Sequence, residues 1–75
     1  MAKPSVFVKI PRERIGVLIG PEGHVKEIVE KRLSVSLQID SESGDVTITQ
    51  ETTDHDPTIL FRAREVVTAI GRGFS

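Results

Sequence analysis

The sequence predicts an α+β domain of two layers: a three-stranded antiparallel sheet with three helices packed on one face, in the order β-α-α-β-β-α. Three observations carry this expectation. Apolar and polar residues alternate with a period of two around residues 5–10, 34–39 and 46–49. Apolar residues recur at helical spacing in segments 12–19, 23–33 and 57–70. The strands alternate instead of running apolar throughout, which suits a sheet with one face in water.

The elements follow in order. Val6, Val8 and Ile10 alternate with Ser5, Phe7 and Lys9, and Pro11 ends this strand and suits a helix entry. Residues 12–19 predict a short helix with Ile15, Leu18 and Ile19 at helical spacing, stopped by Gly20. A second helix is expected from Gly23, with Val25, Ile28, Val29 and Leu33 on one stripe. Val35, Leu37 and Ile39 give a second strand, and Val46 and Ile48 a third. The SESGD turn at 41–45 should join them as an antiparallel hairpin. Asp56 is placed to cap the last helix with Pro57 at its first position and Gly71 past its end. Its apolar face is Ile59, Leu60, Ala63, Val66, Val67 and Ile70.

Seventy-five residues allow one small domain, near the lower limit for a core without staples. There is no cysteine, so neither disulfides nor thiolate metal sites are available. No stretch approaches the roughly 20 apolar residues of a membrane span, and no signal-peptide core opens the chain. A cytoplasmic protein without membrane attachment is expected. The formal net charge of -1 argues against a strongly basic nucleic-acid binder, but the charges are segregated. Residues 1–33 carry seven Lys/Arg against four acids, residues 34–56 six acids and no base, and residues 57–75 are net +2.

The chemistry concentrates at GVLIGPEGH, residues 16–24. Glycines at 20 and 23 permit positive φ and remove the Cβ atoms, so a sugar-phosphate backbone can approach closely. The second helix begins there, and its N-terminal N–H groups and dipole favour an anion. Alongside, Ile15, Leu18, Ile19, Val29, Leu37 and Ile39 would line an aliphatic groove between the helices and the second strand. Aliphatic side chains accept base faces without stacking aromatics.

Strand, proline, short helix, Gly-x-x-Gly, second helix and alternating strand together resemble a KH domain of type I, the eukaryotic-type order. The resemblance covers residues 5–71 and rests on IPRERIGVLIGPEGHVKEIVEKRLSVSLQID: Pro11, Gly16, the Ile-Gly-x-x-Gly of residues 19–23, and Val29. Lys26, the IDSESG hairpin and the ending VVTAIGRGFS further resemble the first KH module of archaeal small-subunit ribosome-assembly proteins of the partner-of-Nob type. The resemblance implies a single KH domain over 1–75, with 72–75 opening a linker to a second KH domain. It also implies about four nucleotides of single-stranded RNA, most naturally ribosomal RNA, in the groove. Other ribosome-assembly factors are further expected partners.

On that reading the RNA-binding residues are Arg12, Arg14, Ile15, Gly16, Leu18, Ile19, Gly20, Pro21, Glu22, Gly23, His24, Lys26, Leu37 and Ile39. Several have a plainer alternative. Gly16 either opens the groove or lets helices pack closely, and Ile15, Ile19, Val29 and Leu37 suit a core as well as a groove floor. Arg12 and Arg14 flank the groove yet could simply be solvated. Lys26, in the first turn of its helix, is the base best placed for a phosphate, and His24 either reads a phosphate or only starts that helix. Asp54-His55-Asp56 has metal-ligand spacing, but capping of the last helix accounts for it better.

The electrostatics predict weak binding. Pro21 has no N–H, Glu22 repels phosphate, and Glu42 and Asp45 border the groove. Each such like-charge contact at the surface costs on the order of 1 kcal/mol. Binding by a few bases alone is then about micromolar or weaker.

No Ser/His/Asp constellation, metal cage or room for a closed pocket points to an enzyme, and no cofactor is implied. Single-stranded DNA fits the groove as a variant, since nothing there demands a 2′-hydroxyl. A protein-interaction module with a degenerate fold, marked by Phe7 and Phe74, is the main alternative.

Overall fold

The computed structural model describes residues 4–51 and 58–73. Strand β1 (Ser5–Lys9) leads through a 3-10 turn at Arg12–Arg14 into α1 (Ile15–Ile19). A second 3-10 turn, Pro21–Gly23, opens directly into α2 (His24–Leu33). Then come β2 (Val35–Ile39), β3 (Asp45–Gln50) and α3 (Thr58–Gly71). The β-α-α-β-β-α order is thus realised, as a three-stranded antiparallel sheet of order β1-β3-β2.

β3 is the central strand. It pairs with β2 from Val35↔Gln50 to Ile39↔Val46 and with β1 from Ser5↔Thr49 to Lys9↔Asp45. Val35, Leu37, Val46 and Ile48 point into the core, while Phe7, Gln38 and Asp45 stay on the wet face. The helices close the inner face with Ile15, Leu18, Val29, Leu60, Ala63 and Val67, and Ile10 plugs the gap after β1. Burial of these aliphatic side chains, at roughly 1.5–3 kcal/mol each, is the main term holding the layers together.

The β2–β3 turn is built by side chains as well as backbone. Asp40 Oδ1 accepts the N–H of Glu42 at 2.9 Å and of Ser43 at 3.4 Å. These donors, Glu42's first, hold the Asp40 carboxyl below its ordinary pKa. Ile10 N–H donates to Gly44 O at 2.9 Å, tying the hairpin tip to the end of β1.

Three expectations need correction. Residues 12–19 do not form one helix; a 3-10 turn precedes a five-residue α-helix. Gly71 is not beyond α3 but its last residue, buried against Ile10: a Cβ there would stand 2.5 Å from Ile10 Cγ2. Close packing, not termination, selects that glycine. Ile28 and Val66, read as part of the apolar faces, are largely exposed, because neither stripe is covered across its full width. Asp56 and Pro57 lie outside the described residues.

Candidate nucleic-acid interface

The loop forms because its residues stop α1 and restart the chain in a new direction. Gly20 N–H donates to Gly16 O at 2.9 Å and closes α1. Gly20 then adopts φ 75° and ψ 174°, a conformation essentially confined to glycine. A Cβ there would collide with the Val25 side chain. Glu22 (φ 55°, ψ 26°) and Gly23 (φ 76°, ψ 14°) are consecutive left-handed residues. Holding a glutamate there costs about 1–2 kcal/mol. A Cβ on Gly23 would meet nothing within 4 Å, so this glycine serves its conformation and leaves its surface bare.

The donors of the loop are partly used. Gly23 N–H bonds Gly20 O at 3.1 Å, His24 N–H bonds Pro21 O, and Pro21 has none to give. What the loop offers an anion is therefore a close approach to bare backbone at the positive end of the ten-residue α2.

The structure divides the residues assigned to the groove. Leu18 (0% exposed), Leu37 (3%) and Ile15 (5%) belong to the core, as does Val29, and support the groove from beneath. Ile19 and Ile39 are half-buried and form the accessible apolar floor. Gly16 is exposed, and a Cβ there would meet nothing within 4 Å, so it keeps the groove open and does not mediate helix packing. Arg12, Pro21, Glu22 and His24 are exposed around the rim.

Two bases are engaged. Arg14 turns away from the rim: its Nε and Nη2 donate to Ile70 O at 3.2 and 3.0 Å, clamping the carbonyl end of α3. A guanidinium there also complements the helix dipole. Replacing it with leucine should lower unfolding stability by about 2 kcal/mol in urea denaturation, with lysine recovering part of the loss. RNA affinity per folded molecule should not change, whereas a loss beyond the unfolded fraction would return Arg14 to the interface.

Lys26 is held by Glu30, with Nζ 3.4 Å from each carboxylate oxygen. Glu30 Oε2 in turn accepts the Leu37 N–H at 2.8 Å, linking α2 to β2. Sequence reasoning missed Glu30. The spacing of Lys26 and Glu30 allows an i,i+4 pair, but nothing local signals the bond to Leu37.

Two open clefts lie elsewhere. One of about 260 Å³ is lined by Arg64, Glu65, Thr68, Ala69 and Arg72; the other, about 530 Å³, by Phe7, Val8, Lys9, Asp45 and Thr47. Neither shares a residue with the loop or its groove. Among the described residues no cluster of three His, Cys, Asp or Glu could hold a metal, and Asp54-His55-Asp56 lies outside them. No helix among them is long and apolar enough to cross a membrane.

An antiparallel β1-β3-β2 sheet, three helices on one face and a left-handed Gly-x-x-Gly turn between the first two make this chain a KH domain. It is similar to a KH domain-containing protein of Methanocaldococcus jannaschii, with 50% identity over 73 residues, 97% of this chain. It is similar also to Dim2p of Pyrococcus horikoshii, with 49% identity, a TM-score of 0.92 and 97% of this chain covered. The same protein in an a/eIF2α–Dim2p–rRNA complex matches at 49% identity and a TM-score of 0.90, again over 97% of this chain. A protein of unknown function from Aeropyrum pernix matches at 38% identity and a TM-score of 0.91 over 99% of this chain. The chain spans 32% of the Methanocaldococcus protein and 44%, 41% and 39% of the three solved chains. No protein-family model matches it.

Proposed function

We propose that this domain binds single-stranded RNA across the GPEG loop and the adjoining aliphatic groove, in ribosomal RNA processing or small-subunit assembly. The observation that carries the reading is the juxtaposition of the left-handed loop at the start of α2 with the open surface of Gly16 and the half-buried Ile19 and Ile39. One face thus offers a seat for phosphate beside an apolar floor for bases. About four nucleotides fill such a groove. The similarity to a Dim2p solved with rRNA supports ribosomal RNA as the ligand.

Binding by the isolated domain is weak. Glu22 stands in the loop, Lys26 is shared with Glu30, and Arg14 is committed to α3. A neighbouring KH module or a ribosomal surface supplies the remaining affinity, in keeping with the greater length of the similar proteins.

An amide-shift titration with short single-stranded RNAs tests this. Residues 12–26 and 35–40 should shift together, as one site. Shifts confined to α3, or a preference for duplex, would overturn the assignment. Pro21→Asp, at an exposed position, should leave the fold intact and weaken binding about tenfold at low salt. A ribo- and a deoxyribo-oligomer of one sequence decide between RNA and single-stranded DNA.

A second reading rests on Phe7, 77% exposed on the wet face of the sheet, which suits a protein-contact surface. Phe74 lies outside the described residues. Absence of RNA binding at low salt would favour this reading.

A further inference from the structure

Sheet order makes β2 an edge strand, since β3 lies between it and β1. Along an antiparallel edge, alternate residues turn their main-chain N–H and C=O outward. Leu37 is such a residue: its side chain is buried, and its N–H leaves the sheet to meet Glu30 Oε2 at 2.8 Å. The Glu30 carboxylate is therefore fixed between the β2 edge and Lys26 Nζ, on the side of α2 that borders the groove. Its side chain remains 24% exposed. A carboxylate held by donors on two sides still has lone pairs to offer, and it can only accept hydrogen bonds.

We propose that Glu30 is a specificity-determining residue, the acceptor that reads the Watson–Crick edge of the base lying on Ile19 and Ile39. The inference rests on the RNA-binding reading above. A carboxylate pairs with the N4 amino group of cytosine and opposes the O4 carbonyl of uracil. These two pyrimidines have nearly the same shape, so a groove that only measures size does not separate them. With Glu30 in place, one nucleotide position favours cytosine over uracil by about tenfold, the lower part of the range for a good side-chain–base pair. Lys26 belongs to this device as the cation that holds Glu30 ionised and oriented, which is why it is not free for the phosphate backbone.

The test is a position-by-position cytosine-to-uracil scan of a short single-stranded RNA, read by amide shifts and by Kd, on the protein and on Glu30→Gln. In the unaltered protein a single position should discriminate about tenfold, and the Leu37 amide should respond most strongly to the base at that position. Glutamine can keep its carbonyl on the Leu37 N–H while turning its amide NH₂ to the groove. Discrimination at that one position should then fall below about twofold or reverse, with the other positions unchanged. Retained protection of the Leu37 amide from solvent exchange identifies a correctly placed glutamine.

Equal affinity for cytosine and uracil at every position of the unaltered protein would overturn the proposal, whether or not the variant folds. So would a Glu30→Gln effect of the same factor on all oligomers, because Glu30 would then act only through its charge or by closing the strand edge. Absence of binding to every oligomer is a different result and brings down the RNA-binding reading itself.

Discussion

Gly20→Ala is expected to destabilise the domain by about 3 kcal/mol, a large share of the roughly 5–15 kcal/mol typical of a folded domain. Two costs add at this position. The backbone, at φ 75° and ψ 174°, lies where a side chain costs on the order of 1–3 kcal/mol. The new methyl group would also overlap Val25, standing 2.8 Å from its Cβ and 2.9 Å from its backbone N. Neither atom is the far end of a flexible side chain, so α2 itself has to move. With a urea m-value of about 1 kcal/mol/M, the unfolding midpoint should fall by roughly 3 M. Gly23→Ala is the natural comparison. Its φ of 76° also disfavours a side chain, but nothing lies within 4 Å, so it should cost only about 1–2 kcal/mol. Equal losses in the two variants would mean that Gly20 does not pack against Val25 as described.

Glu22→Lys should strengthen RNA binding about five- to thirty-fold at low salt and steepen its salt dependence. Glutamate and lysine meet the same left-handed strain at φ 55°, so the exchange isolates charge from backbone conformation. It changes the local charge by two at the positive end of α2, worth roughly 1–2 kcal/mol at surface dielectric. The slope of log K against log salt should rise by about one for each additional phosphate that the lysine neutralises. The advantage should shrink as salt is raised from about 25 to 200 mM, where the screening length falls to below roughly 10 Å. Equal affinity of the two proteins across that range would mean that the loop does not touch the RNA backbone, leaving GPEG as a turn. A domain that met only protein through the sheet face around Phe7 would show no such strengthening.

Local signals in the chain correctly indicated the strands, the helices and the place of the loop. Alternation at Val35, Leu37 and Ile39 and helical spacing at Leu60, Ala63 and Val67 are imposed by the period of each element, independent of its neighbours. Gly-Pro-Glu-Gly announced a break between two helices because such residues accept the required φ values. Which apolar positions form the groove was not readable in the same way. Ile15, Leu18, Leu37, Ile19 and Ile39 share one pattern, yet the first three are roofed by other elements and the last two are not.

The order of elements, the hairpin and the position of the Gly-x-x-Gly loop follow from contacts within a few residues, and the chain carries them unaided. Which charges remain for a ligand is settled only once the layers have come together. Arg14 meets the carbonyl of Ile70, 56 positions away, and Glu30 crosses from α2 to an edge amide of β2 while holding Lys26. A long polar side chain bonds whichever unpaired backbone group folding brings within about 3 Å, and periodicity carries no record of that encounter.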